Sequence, residues 1–245
     1  MKKTIKTALV MIMGMVSPLA LMSQDAPTIL KKLDEVMYAP ADQESKMRIV
    51  LTDRSGNERV READVWQKGD KMRLVRFTSP SAEAGIAFLS LPNDVMYVYM
   101  PAFGRERRIA SHVKNQSFAG TDFTYEDMES VTYSSKYEPR LLETTDRHHI
   151  LELTPLPGVR SDYSRQVSVI SREHYYLVSS EYYDRGGNLV KTSQYTYTKK
   201  DKYWYPGEIR MTDHRRNHST SMQFLEIKFD TGLSDDIFTI RNLAR

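Results

Sequence analysis

Chemistry in this chain would have to come from its six histidines, from one acidic cluster, or from a nucleophile motif. Adjacent His148 and His149 fall in a strand-like run from Arg140 to Leu153, where neighbouring side chains point to opposite faces, so they cannot chelate one metal together. The His214 to His218 spacing would suit a metal on a helix. It lies in DHRRNHS between two strand-like runs, reads as a solvated turn, and has no HExxH carboxylate beside it. Asp122, Glu126, Asp127 and Glu129 invite an acid–base reading, but a cap explains them better: Asp122 opens a short helix whose first turn sets Glu126 and Asp127 against the positive helix end. There is no GxSxG elbow, no P-loop and no GxGxxG. The residues point to no enzyme activity, no metal and no cofactor.

Apolar and aromatic side chains carry the stronger pattern. The stretch Asp94 to Pro101, DVMYVYMP, is apolar on both faces, which places it centrally in a sheet. Met96, Val98 and Met100 form one row, and Val95, Tyr97 and Tyr99 the other; the methionine row is expected to face inward because tyrosine tolerates a wetter surface. Eight of the fifteen tyrosines lie between Tyr175 and Tyr205, with Tyr195/Tyr197 and Tyr203/Tyr205 spaced to share a face. That row reads as a cross-strand aromatic ladder, with a docking surface as the alternative.

The elements that must position these residues are mostly strands. Met47, Ile49 and Leu51 alternate with Arg48 and Thr52, and Arg73, Val75 and Phe77 alternate with Met72 and Leu74. Turn residues at 54–57, 68–70, 184–188 and 199–202 separate such runs by a few positions, so antiparallel hairpins dominate. About ten to twelve strands are expected, too many for a flat open sheet. One amphipathic helix, roughly Thr28 to Tyr38, begins near Pro27 and stops before Pro40; shorter helical pieces are expected at Asp122 to Met128 and Ser234 to Phe238. So few helices cannot fill a curled sheet, and an apolar pocket should remain.

Composition fits an ordinary folded chain of 245 residues, 40% hydrophobic, 27% charged and without cysteine, which excludes disulfide scaffolds, collagen and disorder. Lys2, Lys3 and Lys6 precede an apolar run from Ala8 to Met22 and a small residue at Ser23, the pattern of a signal peptide over residues 1–23. The 222 residues that follow, 24–245, then carry 32 basic and 32 acidic side chains. A neutral exported chain has no field to gather nucleic acid, and the lysine-rich start suggests the periplasm. No Pro/Gly/Ser-rich linker divides residues 24–245, so one domain is expected.

Residues Phe77 to Met128 resemble a known family. Ser79-Pro80, Gly85, Phe88-Leu89, Tyr99-Met100-Pro101, Arg107-Arg108-Ile109 and Ser117-Phe118-Ala119-Gly120-Thr121-Asp122-Phe123 occur in the order found in outer-membrane lipoprotein-sorting proteins of the LolA-like superfamily. The resemblance implies a mainly β (α+β) fold: a strongly curved antiparallel sheet, an incomplete β-barrel, with helices across its concave face and a hydrophobic cavity between. It further implies a periplasmic carrier for the acyl chains of lipid or lipoprotein, or, alternatively, an adaptor docking on an inner-membrane efflux-type transporter; an outer-membrane acceptor is the other expected partner. The expected lining comprises Met47, Ile49, Leu51, Leu74, Phe88, Met96, Val98, Met100, Phe118, Phe123 and Met128. Arg105, Arg107 and Arg108 either meet an anionic headgroup at the rim or form a solvated hairpin.

Overall fold

The computed structural model describes residues 25–244. The expected signal peptide lies outside the described residues. The strands are β1 (Asp42–Thr52), β2 (Glu58–Lys68), β3 (Met72–Ser79), β4 (Ala87–Leu91), β5 (Val95–Met100), β6 (Arg105–Arg108), β7 (Tyr137–Thr144), β8 (His148–Pro155), β9 (Arg165–Ser171), β10 (Leu177–Tyr183), β11 (Leu189–Lys200), β12 (Tyr203–Asp213) and β13 (His218–Phe229). Helices α1 (Ala26–Met37), α2 (Tyr133–Lys136) and α3 (Ile240–Leu243) accompany them. All thirteen strands join one antiparallel sheet in the order β6-β5-β4-β3-β2-β1-β13-β12-β11-β10-β9-β8-β7. The count exceeds the expected ten to twelve. Part of the reason is that Arg105–Arg108, an edge strand without apolar alternation, leaves no signal, and that the run Arg140 to Leu153 is two strands folded at Thr145 to Arg147.

Two meanders, β1 to β6 and β7 to β13, meet only where β1 pairs β13. Strands β6 and β7 are successive in the chain and stand at opposite edges of the sheet. The segment between them, residues 109–136, must therefore cross the whole concave face. This one topological fact makes an interior: a curved sheet, a crossing segment, and α1 beside it.

Helix α1 forms because Asp25 caps it, its carboxylate accepting from the Thr28 N–H at 3.0 Å, and because Pro27 tolerates the first turn. Its Ile29, Leu30 and Leu33 are fully buried against Leu151, Leu153, Ile170 and Leu177. The C-terminal pieces take the other side of the sheet. Phe238 and Leu243 pack on Leu74, Ala87 and Leu89, the residues that alternate with inward Val75 and Phe88. The Ser234 to Phe238 piece, expected among those that cover the concave face, instead buries an apolar stripe on the convex one.

Asp42 fastens that C-terminal piece. Its carboxylate accepts from the Thr231 N–H (2.7 Å), the Thr231 hydroxyl (2.9 Å), the Gly232 N–H (2.9 Å) and the Leu233 N–H (3.0 Å). Burial would raise its pKa, but these hydrogen bonds outweigh it and hold the carboxyl below 3.8. Asp42→Ala is expected to cost about 2 kcal/mol at neutral pH, a figure discounted for screening near the surface. Because the folded pKa is depressed, the contribution is complete above 3.8 and fades as pH falls through the folded value. Urea unfolding of wild type and variant should therefore diverge at pH 7 and converge in acid.

Candidate functional site

The crossing segment is pinned at its middle. Phe118 packs its ring 5.6 Å from Phe77, 5.5 Å from Phe88 and 6.0 Å from Tyr125. Ala119 and Gly120 follow with φ of 47° and 77°, and the Arg61 guanidinium donates to the Ala119 carbonyl at 2.6 Å. Glycine takes such a backbone freely, whereas an alanine there is held by its surroundings.

Asp122 comes next, and it does not cap a helix. Residues 122–128 form turns; the buried Asp122 carboxylate instead accepts from the Thr220 hydroxyl at 2.7 Å and lies 2.6 Å from His218 Nδ1. The Asp122 carbonyl accepts from the buried Lys191 ammonium at 2.7 Å, which also pairs with Asp127 at 3.4 Å. His218 is thus not part of the solvated turn expected for DHRRNHS. His214 is, with its ring 3.2 Å from the Thr192 hydroxyl. His148 and His149 alternate on β8 as expected, half-buried and buried. Among the described residues no cluster of three or more His, Asp or Glu has the arrangement of a metal site.

Beyond Met128 the segment reaches α1. Asp34 of the helix accepts from the N–H groups of Tyr133 (2.7 Å) and Ser134 (2.9 Å), and the Tyr38 hydroxyl donates to the Val131 carbonyl at 2.8 Å. Burial raises the Asp34 pKa although these hydrogen bonds oppose it. The end of α1 and residues 128–136 consequently form one cover.

Under this cover lies a cavity of about 200 Å³. Met47, Val65, Val75, Met211, Met222 and Phe224 make an apolar floor from the central strands. Tyr133, Tyr137, Tyr182, Tyr195 and Tyr197 make an aromatic wall, and burial lifts the pKa of each above its ordinary value. Charged groups border it as well. Lys136 is buried between Glu126 (3.2 Å) and Glu129 (3.3 Å); burial pushes its pKa down, but Tyr137 and these carboxylates prevail and hold it above the usual lysine value. Arg73 projects from β3 with its guanidinium on Gln67 and on the Met128 carbonyl, and burial lowers its pKa.

Of the residues expected to line a cavity, Met47, Phe123 and Met128 border it. Ile49, Leu51, Phe88 and Met96 face the same side but are sealed in the core beneath the crossing segment, whose own Phe118 is buried among them, and Val98 packs partly buried against them. Met100 is half-buried at the end of β5 and does not reach the cavity. Leu74 lies on the convex face under the C-terminal turn. Met96 and Val98 of the methionine row do face inward, while Tyr97 and Tyr99 pack on the convex side. Arg105, Arg107 and Arg108 sit exposed on edge strand β6, away from the cavity, with Arg107 over the Phe103 ring at 4.6 Å.

Sequence reasoning missed Arg73, Lys136, Met211, Met222 and most of the tyrosine wall. The tyrosine excess was the available signal. A ladder does exist, with Tyr176 and Tyr197 stacked at 4.2 Å, yet the Tyr195/Tyr197 row also borders the cavity.

Among the described residues no helix is long and apolar enough to cross a membrane. A family model described as an uncharacterized protein matches residues 69–245. The chain has no match among curated proteins. Solved structures resemble it along nearly the whole length. A domain described as an outer-membrane lipoprotein-sorting protein from Vibrio parahaemolyticus is 28% identical, with a TM-score of 0.83 over 90% of this chain and 98% of its own. A DUF1329 family protein from Desulfovibrio piger is 27% identical, with a TM-score of 0.83 over 89% and 97%. A LolA superfamily protein from Nitrosomonas europaea, 24% identical with a TM-score of 0.74 over 89% and 98%, shares the fold. The crossed concave face and the open sheet agree with these likenesses: the chain belongs to the family whose model matches residues 69–245, and its fold is that of the outer-membrane lipoprotein-sorting, DUF1329 and LolA superfamily structures it resembles.

Proposed function

We propose that the protein is a periplasmic carrier, not an enzyme, which shields acyl chains of lipid or lipoprotein in the cavity during transfer toward the outer membrane. The observation that carries this reading is the cavity itself, apolar on its floor and partly roofed by a cover of separate pieces. Each buried CH₂ contributes about 0.8 kcal/mol, so a chain binds through area and needs few polar contacts. The cavity, about 200 Å³, is only somewhat larger than the ~150 Å³ apolar void that accepts a benzene. A full acyl chain therefore requires the cover to part, and the contact between Tyr38 on α1 and Val131 on the crossing segment is where it opens.

Exported protein purified without detergent should yield acyl lipids when its organic extract is examined by mass spectrometry. Met222→Trp, which fills the floor, should weaken binding of a fluorescent fatty acid by tenfold or more, since about 1.4 kcal/mol, the worth of roughly two methylenes, is already tenfold. Empty protein that captures an inner-membrane transporter in pull-down would instead favour an adaptor, and cleaved lipids in the extract a hydrolase.

A further inference from the structure

The cavity wall carries a cation without a counter-charge. The buried ammonium groups around the crossing segment are matched: Lys114 with Asp94 and Glu129, Lys136 with Glu126 and Glu129, Lys191 with Asp127. Arg73, which borders the cavity, makes no ion pair among the described residues. Its partners are neutral oxygens: Nε (3.0 Å) and Nη2 (2.8 Å) donate to Gln67 Oε1, and Nη1 (3.1 Å) donates to the Met128 carbonyl. The Gln67 amide is itself fixed, its Nε2 donating to the Gly69 carbonyl at 3.0 Å.

A guanidinium has five N–H donors, and these contacts use three. The two that remain belong one to Nη1 and one to Nη2, and guanidinium N–H groups are strong donors to a carboxylate or phosphate. A half-buried charge left with neutral partners is costly, and an incoming anion relieves it. Burial already depresses the Arg73 pKa, in keeping with that cost. The phenols of Tyr38 and Tyr133 border the same space.

From this geometry we infer that Arg73 binds the anionic headgroup, a carboxylate or phosphate, of an acyl amphiphile whose chain lies on the Met47, Val75 and Met222 floor. The inference rests on the carrier reading and narrows it: the cargo bears a negative charge next to its chain. It also moves the headgroup contact from the edge arginines 105, 107 and 108 to the interior. An inorganic anion alone would satisfy the guanidinium but would leave the apolar floor unused.

The test uses delipidated protein, residues 24–245, titrated calorimetrically with oleate, methyl oleate and inorganic phosphate. Wild type should prefer oleate to its ester by about thirtyfold, the worth of a charge-assisted hydrogen-bond pair at the low end. Arg73→Gln should erase that preference by weakening oleate while leaving methyl oleate within threefold; Arg73→Lys, which keeps the charge and loses the fork, should fall between. A merely structural role would weaken both ligands by the same factor, and that result overturns the inference. Equal affinity of wild type for acid and ester overturns it too, even if Arg73→Gln fails to fold. Phosphate binding that depends on Arg73, without oleate binding, makes this a free-anion site and overturns the acyl ligand. Binding of none of the three refutes the carrier reading itself.

Discussion

Phe118→Ala is expected to lower stability by about 3–5 kcal/mol, the range for removing a fully buried aromatic ring. The ring is 1% exposed and touches Phe77, Phe88 and Tyr125, so the void cannot collapse without moving three other aromatic side chains. It is also where the crossing segment is bolted to β3 and β4, just before the left-handed pair Ala119 and Gly120. Urea unfolding should show the loss with the midpoint lowered, and thermal unfolding a drop of about 10 °C. A loss below 1 kcal/mol would mean that the segment is held elsewhere.

Asp122→Ala should cost a similar amount, about 3–5 kcal/mol, for a different reason. The carboxylate is inaccessible to solvent and satisfies the Thr220 hydroxyl and the His218 ring, with the Arg216 guanidinium 3.6 Å from its second oxygen. Alanine leaves the buried His218 ring without its carboxylate and the Thr220 hydroxyl without its acceptor, while Lys191 keeps both its partners, the residue-122 carbonyl and Asp127. Asn at 122 restores an acceptor for Thr220 and should recover part of the loss. Amide hydrogen exchange would locate the damage: the N–H of Phe118 and Tyr125, bonded within the crossing segment, should lose protection before those of β8 and β9. Uniform loss of protection throughout the sheet would contradict this anchoring role.

How much of this was legible in the sequence depends on how far apart the partners are. Alternation at Met47, Ile49 and Leu51 and the turn residues at 54–57 or 184–188 are local signals, and they lead directly to an antiparallel sheet with the right inner face on β1 and β5. Leu74 defeats the same logic because both faces of β3 are covered, one by the crossing segment and one by the C-terminal turn, so alternation no longer tells inside from outside. Asp122 was legible only as a capping residue, since the rule for caps uses neighbours three positions away, while its real partners lie 96 and 98 residues downstream. Arg73 presents the same difficulty: a charged residue in an alternating run reads as solvated, and only the crossing segment, closing over it with the Met128 carbonyl, makes it interior. The cavity itself follows from topology. Neither the sequence of β6 nor that of β7 reveals that they sit at opposite edges, and without that fact residues 109–136 look like an ordinary loop.

The claim on which the account turns is that an acyl chain occupies the space between the central strands and the cover. The direct measurement is the methyl NMR spectrum of the methionine-labelled protein with stearate carrying a paramagnetic nitroxide on its chain. The account predicts strong broadening of the Met47, Met211 and Met222 methyls, which line the cavity, and little at Met72, which packs with the convex-side cluster. Broadening of Met72 with sharp signals from the three cavity methionines would place the chain on the outer surface and contradict the account.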